Sequence, residues 1–572
     1  MFNNFSLRKI CFYVLLVTII ITLVFNYNRL GLLTAEIGIF ILIPTVLFSI
    51  DLSLIVLATI FPDLEKCRLC GIDGLLERPV HPLDQVPIIV PLLVASYRDI
   101  EAAASCLSEN WSMTYEWPVE IILLVDFRDS ALAEEKEDIH LQKRLEQTVH
   151  SLNQARVKDG LPAARLLYRR RVWNPFERTW MGWERKRGKV VEFLKLTREM
   201  PTSFIGDCPA MWVGASTVFV MDIDTRVTGE GLLLLSKTFE QRRAGWERDK
   251  RPALMSPVVR TLDRAEEPIQ RWLYEPWVFS VNKDWREHTL RDRVFGHDIY
   301  NGKALIAVDD FLSLSSAIPD NTILSHDHLE AILGHGCSSP IASVYEPFPA
   351  SRTSWERRQH RWMRGDFQVL PWLFKGVGEK RVSAITLSMR AAIAHVILDA
   401  LNPVAIYIVV VRCLFTSWRL GLVIGSLLLL FHRGGTLLAA CRIPLFLIKT
   451  DRKNGLFNTA RFLIANAFMR SLGTLFYLQR DALITFHALI KTSFRLTLPG
   501  RKGLLEWYPD DINRPIIARR KLEVLLILIS LISFTAGFAG PGVPFAIIAW
   551  TIVPIVLNLV PIRRTSIQRP RF

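Results

Sequence analysis

The sequence lacks the loop motifs of several large enzyme classes. It contains no Walker-type phosphate loop and no G-x-G-x-x-G fingerprint, so phosphoryl transfer and nicotinamide chemistry are without their usual signatures. It has no G-x-S-x-G elbow, where many hydrolases carry a serine nucleophile. No internal repeat or low-complexity segment is present either. None of these enzyme classes is therefore indicated.

Cysteines and acidic residues are both sparse. Cys67 and Cys70 form a C-x-x-C pair, but a structural zinc site usually needs four ligands and no second pair lies at a suitable spacing. We expect free thiols in a reducing cytoplasm. The 55 acidic residues are outnumbered by 70 basic ones, giving a net charge of +15. We interpret this charge as a membrane-surface signature and expect no nucleic-acid partner, because no nucleic-acid-binding fold is evident.

Apolar residues are concentrated in long runs towards the two ends of the chain. A mean hydropathy of +0.24 together with 22% charged residues fits a soluble domain joined to membrane spans. Because about 20 apolar residues cross a bilayer, we predict two spans before the central region and about four after it. The runs are residues 10–25, about 30–60, 391–411, 420–448, 522–539 and 543–560.

Basic residues before the first span, in the central region and in the tail place all three on the cytoplasmic side. We therefore predict a multi-pass protein of the cell (inner) membrane with a cytoplasmic central domain. Its predicted parts are an N-terminal transmembrane hairpin (1–61), the central domain (85–375), C-terminal transmembrane helices (380–562) with an interfacial helix near 480–498, and a basic tail (563–572).

The central region alternates apolar runs with polar, helix-like segments such as 130–157. Continuous apolar runs are typical of buried parallel strands, and this alternation predicts a wound α/β sheet. Ligands of such sheets bind beyond the carboxyl ends of the strands. The runs are 86–95, 119–125, 164–168 and 212–221, and the polar residues that follow them include Ser96, Tyr97, Asp99, Asp126, Asp129, Asp222 and Asp224.

Three carboxylates in this region are candidates for chemistry. Asp222 and Asp224 follow a buried-looking run at a spacing that points both to one side, where a divalent cation and phosphate oxygens would fit. The alternative is a surface turn. Asp327 precedes a helical-looking segment, so it is either a general base for an acceptor hydroxyl or a helix N-cap.

Two basic stretches are candidates for phosphate and sugar binding. Arg358, Arg361 and Trp362 form an R-x-x-R-W pattern that offers planar cations and an indole ring. A lipid-headgroup anchor is the alternative, since membrane segments follow. In the block 168–189, Lys189 is the residue we single out for a diphosphate, and a solvated basic loop is the alternative.

Several longer stretches resemble processive family 2-type membrane glycosyltransferases, and more specifically the glycosyltransferase module (family 84) of cyclic β-1,2-glucan synthases. They are RRRVWNPFERTWMGWERKRGK (169–189), GKALIAVDDF (302–311), IPDNTILSHDHLEAIL (318–333) and RRQHRWMRGDFQVLPW (357–372), with a weaker likeness at 480–507. The resemblance implies a GT-A (Rossmann-like) α/β domain embedded in an α-helical transmembrane base. It also implies UDP-glucose as donor, inversion at the transferred sugar, and Mg²⁺ or Mn²⁺ as cofactor.

The expected residue roles combine this resemblance with the strand-end positions. The expected donor-binding residues are Ser96, Tyr97, Asp99, Asp126, Lys189 and Asp222; the expected metal ligands are Asp224 and Asp222; the expected base is Asp327; and the expected acceptor or diphosphate contacts are Arg358, Arg361 and Trp362.

We therefore expect a UDP-sugar-dependent hexosyltransferase that extends a β-1,2-linked glucan and exports it. Its partners would be UDP-glucose, a glucan acceptor and the lipid bilayer. Cyclic glucan synthases are much longer chains with a phosphorylase-type module, whereas this sequence ends at Phe572. We accordingly expect a linear or short product, or a partner that processes or exports it. The alternatives are transfer of one sugar to a lipid phosphate carrier, and a transport or scaffold subunit with an inactive transferase domain.

Overall fold

A computed structural model describes most of the central region and part of the flanking helices. The described residues are 2–29, 38–60, 86–116, 118–205, 209–245, 251–261, 296–298, 300–324, 327–347, 352–374, 385–416, 453–497 and 503–506. The predicted spans at 420–448, 522–539 and 543–560, the basic tail, and Cys67 and Cys70 lie outside these residues.

The strands are short and mostly buried. They are β1 (Ile88–Val94), β2 (Ile121–Phe127), β3 (Arg165–Arg169), β4 (Val172–Asn174), β5 (Thr179–Met181), β6 (Phe204–Ile205), β7 (Thr217–Val220), β8 (Arg226–Val227), β9 (Leu254–Thr261), β10 (Ala304–Ala307) and β11 (Cys337–Glu346). The helices are α1 (Phe2–Arg29), α2 (Gly38–Ile60), α3 (Tyr97–Met113), α4 (Lys136–Lys158), α5 (Arg185–Leu196), α6 (Gly229–Ala244), α7 (Val308–Ser315), α8 (Asp327–Leu333), α9 (Arg352–Gln368), α10 (Leu387–Thr416) and α11 (Lys453–Thr497).

Nine of these strands form one mixed sheet in the order β6-β3-β2-β1-β7-β10-β9-β11-β8. The strands β3, β2, β1 and β7 run parallel to one another, and β9 is parallel to β11. β10 is antiparallel to both of its neighbours. β4 and β5 form a separate antiparallel hairpin.

Side chains of the central strands alternate between two hydrophobic cores, one on each face of the sheet. Ile88 and Val90 pack into the core that contains α3, α4 and α6. Ile89 packs into the second core, with α5 and α7. Successive strand residues point to opposite faces, so strands covered on both sides are apolar throughout. The predicted α/β architecture is confirmed, and the sheet with its helices fits a Rossmann-like domain.

The predicted strand positions match closely except at the run before the acidic pair. β1, β2 and β3 lie at the runs 86–95, 119–125 and 164–168. In the run 212–221 only Thr217–Val220 is a strand, and a 3₁₀ turn at Ala210–Trp212 precedes it. The last strand residues are nevertheless buried and lead directly to the acidic pair.

Among the described residues, one helical segment, Leu387–Arg412 in α10, is long and apolar enough to cross a bilayer. Shorter apolar segments lie in α1 (Cys11–Val24) and α2 (Gly38–Ile50). α2 packs against α1 and α10, and α11 packs against α9 and α10. The multi-pass base and the interfacial helix within α11 stay predictions.

We predict that Phe219→Ala destabilises the domain by about 3–5 kcal/mol, because it opens a cavity in a packed core. Phe219 is fully buried in β7, between β1 and β10, just before the acidic pair. The matched control is Phe176→Ala on the exposed hairpin, which should change stability by less than about 0.5 kcal/mol. Thermal unfolding of the detergent-solubilised protein measures both. Equal losses would contradict the assignment of Phe219 to the core.

Candidate active site

Three carboxylates converge at one edge of the sheet, and we call Asp222, Asp224 and Glu346 the acidic trio. One oxygen atom from each lies within 4.8 Å of the others. Asp222 and Asp224 follow β7, whereas Glu346 is the last residue of β11. β8 pairs antiparallel with β11, and Thr225 donates a 2.9 Å hydrogen bond to Glu346 Oε1. This pairing brings the end of β11 to the acidic pair.

Two lysines contact the acidic trio. Lys303 Nζ lies 3.1 Å from Asp222 Oδ2 and 2.5 Å from Glu346 Oε1. Lys186 Nζ lies 2.6 Å from Asp222 Oδ1 and donates a 2.9 Å hydrogen bond to the Gly302 carbonyl oxygen. Lys186 belongs to α5, and Lys303 directly precedes β10. Cations from two separate elements thus face the same carboxylate.

The two aspartates of the trio have opposite pKa shifts. Burial raises the pKa of Asp222, but the charges of Lys186 and Lys303 outweigh burial and hold the pKa below its usual range. At Asp224, burial and the neighbouring carboxylates raise the pKa, and Lys303 and Arg358 only partly oppose them. Negative charge is thus least compensated at Asp224.

A divalent cation would relieve this repulsion. Three carboxylate oxygens so close together are the kind of ligand that Mg²⁺ and Mn²⁺ prefer. The residues present therefore fit the cofactor implied by the sequence, with Asp224 as the ligand that gains most.

Asp327 lies close to the acidic trio. It is the first residue of α8, where the helix dipole favours a carboxylate. Gly302 has a φ of +81°, and a Cβ atom built on it would lie 3.5 Å from Asp327 Oδ2 and 3.9 Å from Asp222 Oδ2. The two carboxylates therefore face the same point of the backbone. Both the base and the helix-end interpretations are compatible with this position.

His328, the next residue, contacts α9, the helix that contains the R-x-x-R-W pattern. Its Nδ1 lies 2.9 Å from Asp366 Oδ1 in α9. Burial alone would lower the pKa of His328, but the charge of Asp366 raises it above 6.5. Burial also raises the pKa of Asp366, against the opposing effect of His328. The contact joins α8, which carries Asp327, to α9.

Asp126 and Lys189 contact each other inside the domain. Arg169 makes two hydrogen bonds to the Asp126 carboxylate, at 2.7 and 2.8 Å. Lys189 Nζ lies 3.2 Å from Asp126 Oδ2 and donates a 2.7 Å hydrogen bond to the Leu92 carbonyl oxygen. Both predicted donor-binding residues are only 4% exposed. Burial lowers the pKa of Lys189 to about 8, although Asp126 opposes that effect.

The residues after β1 form the start of α3. The Asp99 carboxylate accepts hydrogen bonds from the backbone N–H groups of Ala95 and Ser96, at 2.9 and 2.8 Å. This is an N-terminal capping arrangement, which explains Ser96 and Asp99 without a ligand. Tyr97 is 59% exposed and lies beside the cap. The predicted donor contacts of these three residues stay predictions.

The R-x-x-R-W pattern lies on α9 and reaches the acidic trio through its first residue. Arg358 Nη2 lies 3.5 Å from Asp224 Oδ2. The Trp362 ring packs edge-to-face on Trp355, with ring centres 6.0 Å apart. Arg361 is partly exposed on the same helix. The pattern is therefore joined to the acidic pair by one charged contact.

Residues 503–506 belong to the stretch 480–507, whose likeness to the cyclic glucan synthases is weaker. They contact both basic stretches. Arg364 of α9 donates hydrogen bonds of 3.0–3.2 Å to the carbonyl oxygens of residues 503, 504 and 506. Arg185 of α5 donates to the Leu505 carbonyl oxygen at 3.1 Å, and Glu177 accepts from the Leu505 N–H at 2.8 Å. This segment therefore connects α9 to the central domain.

Sequence reasoning missed three residues of this site: Lys186, Lys303 and Glu346. Lys186 belongs to the basic block that had been singled out, where Lys189 was preferred. Lys303 is the second residue of the GKALIAVDDF stretch, so the resemblance offered a usable signal for it. Glu346 ends an ordinary strand and gave no local signal.

Comparison with known proteins agrees with the resemblance. No protein-family model matches the chain. The chain is 26% identical, over 515 residues, to the cyclic β-(1,2)-glucan synthase NdvB of Rhizobium meliloti (strain 1021). This chain is related to that synthase. The match covers 83% of this chain but spans only 18% of the length of NdvB. The predicted relationship to cyclic glucan synthases is confirmed.

We predict that Gly302→Ala damages the site, whereas Gly296→Ala does not. Both glycines have positive φ, +81° and +82°, so alanine costs about 1–3 kcal/mol of backbone strain at either position. Only at Gly302 would the new methyl lie 2.8 Å from Lys186 Nζ, whereas at Gly296 no atom of the described residues lies within 4 Å. Affinity for UDP, measured by calorimetry with Mn²⁺ present, should fall about tenfold or more only in Gly302→Ala. Equal affinities of the two variants for UDP would contradict the assignment of Gly302 to the site.

We also predict a pH-dependent contribution of His328 to stability. A raised folded-state pKa stabilises the protein fully below pH 6.5, and this contribution is lost as the pH rises through the raised value. The thermal midpoint of the wild type should exceed that of His328→Gln by more at about pH 6 than at about pH 8.5. Exposed His150→Gln is the control, and a pH-independent difference for His328→Gln would refute the prediction.

Proposed function

We propose that this chain is an inverting membrane glycosyltransferase that transfers glucose from UDP-glucose to a growing β-1,2-linked glucan. The observation that carries the proposal is the arrangement around Gly302, where Asp222 of the acidic trio and Asp327 face one backbone point. A metal-binding carboxylate set beside a separate carboxylate is what displacement of a nucleoside diphosphate by a hydroxyl requires. The relationship to NdvB supports the choice of a glucan product.

The donor would bind over the acidic trio. Asp224 and Asp222, with Glu346, would hold Mg²⁺ or Mn²⁺, and the bound ion would neutralise the departing diphosphate. Lys186 and Arg358 line the same edge and would contact diphosphate oxygens, since ammonium and guanidinium groups are strong donors to phosphate. Asp126 and Lys189 are buried and would hold the surrounding elements in position without contacting the donor directly.

Asp327 would accept the proton of the acceptor hydroxyl. The freed oxygen attacks the anomeric carbon of glucose opposite the leaving UDP, which converts the α-linked donor into a β-linked product. Gly302 leaves space between Asp327 and Asp222 for the reacting groups, because a side chain there would enter it. The contact of His328 with Asp366 would hold α8 in position.

The acceptor glucan would approach along α9, where Arg361 and Trp362 are partly exposed. Indole rings stack on sugar rings and guanidinium groups donate to their hydroxyls, so both side chains suit an oligosaccharide. α10 follows α9 in the chain and contains the apolar segment Leu387–Arg412. We propose that α10 and the other predicted spans carry the product out of the cytoplasm.

We predict that Asp327→Asn lowers UDP release from UDP-glucose by about 100- to 10,000-fold, the range expected when a general base is lost. Asparagine keeps the size of the side chain but cannot accept the proton, so UDP binding should survive. Purified protein in detergent or nanodiscs would be assayed with each common UDP-sugar in turn, with product linkages determined. Chelation of the metal with EDTA should abolish release, and Mn²⁺ or Mg²⁺ should restore it.

The control is Asp309→Asn, since Asp309 is a surface residue paired with Arg198 and should leave activity unchanged. Release that is unaffected by Asp327→Asn would remove Asp327 as the base. No release with any donor would favour a transport or scaffold subunit. A single-sugar product that partitions into organic solvent would favour a lipid phosphate acceptor.

A further inference from the structure

Lys303 occupies an unusual position within the acidic trio. Its ammonium lies 2.5 Å from Glu346 Oε1 and 3.1 Å from Asp222 Oδ2, so it contacts two of the three carboxylates. Its ammonium therefore lies within the set of atoms that would ligate a metal.

The backbone restricts where this ammonium can go. Lys303 lies between Gly302, at a φ of +81°, and β10, which is hydrogen-bonded to strands on both sides. The lysine side chain is only 10% exposed. Its ammonium is therefore much less accessible to solvent than that of a surface lysine.

A divalent cation that bound alone at Asp222 and Glu346 would therefore take both carboxylate partners from an ammonium that is largely shielded from solvent. Like charges at such distances in a partly buried site repel strongly, and an unpaired buried charge is costly. A nucleoside diphosphate changes this balance, because its oxygens are strong acceptors for an ammonium group.

We propose that Lys303 is a resident counter-cation of the metal site. The site binds a divalent cation only together with a nucleoside diphosphate, whose oxygens replace the carboxylates as partners of the Lys303 ammonium. This inference rests on the proposed function. It adds an order to donor binding. In the free enzyme Lys303 is paired with the carboxylates, and the metal binds together with the donor. Lys186 differs, since among the trio its ammonium contacts Asp222 alone and is a third exposed.

The test is equilibrium dialysis of the detergent-solubilised full chain against Mn²⁺, with and without UDP. Free Mn²⁺ is read by electron paramagnetic resonance and corrected for the Mn²⁺–UDP complex in both chambers. The wild type should bind Mn²⁺ about tenfold or more tightly when UDP is present. Lys303→Met should bind Mn²⁺ alone about tenfold or more tightly than the wild type, and UDP should then add little.

The matched control is Lys195→Met, since Lys195 lies over the Trp183 ring rather than at the trio. It should behave as the wild type does, and Lys303→Arg should restore the dependence on UDP. Circular dichroism establishes that each variant is folded. If Lys303→Met does not fold, the wild-type titration decides alone, and Mn²⁺ binding that is unaffected by UDP overturns the proposal.

The outcomes separate this inference from the proposed function. Mn²⁺ binding promoted by UDP equally in the wild type and Lys303→Met would overturn the role of Lys303 and leave the transferase proposal standing. No Mn²⁺ binding in any variant, even with UDP, would overturn both the inference and the metal assignment.

Discussion

Repulsion among the three carboxylates of the acidic trio is the constraint around which this edge of the sheet is arranged. Three such oxygens within 4.8 Å of one another are unfavourable unless cations accompany them. Three separate parts of the chain supply these cations, since Lys186 comes from α5, Lys303 directly precedes β10 and Arg358 comes from α9. The charge at this edge therefore also holds together elements that are distant in sequence.

A second ion cluster, buried beneath the edge, orients α5. Lys189 is fixed by Asp126 and by the Leu92 carbonyl oxygen, and Arg169 closes the cluster with Asp126. Residues three apart lie on the same face of a helix, so fixing Lys189 directs Lys186 towards Asp222. Breaking a buried ion pair costs about 3–5 kcal/mol. Asp126 and Lys189 therefore have a positional role that does not require contact with the donor.

The sequence predicted the parts of the site that have a local pattern. The apolar runs located β1, β2 and β3, and the acidic pair follows β7 as expected. Glu346 was not predicted because its place in the site depends on the pairing of β8 with β11. This pairing brings it into contact with Thr225, about 120 residues earlier in the sequence. Lys189 was preferred to Lys186 because the start of α5 cannot be read from composition. Glu184 and Arg185 adopt positive φ values of 50° and 56°, and this backbone conformation sets which lysine reaches the edge.

α9 joins the acidic trio to the C-terminal part of the chain. Arg358 contacts Asp224, and Arg364, six residues later and about 9 Å along a helix, binds the carbonyl oxygens of residues 503–506. The helix between them is continuous, so α9 connects the two contacts directly. Since α11 precedes this segment in the chain and packs on α9, the acidic trio, α9 and α11 form one connected set of contacts. In a polymerising enzyme, such a connection would couple the state of the donor site to movement of the product.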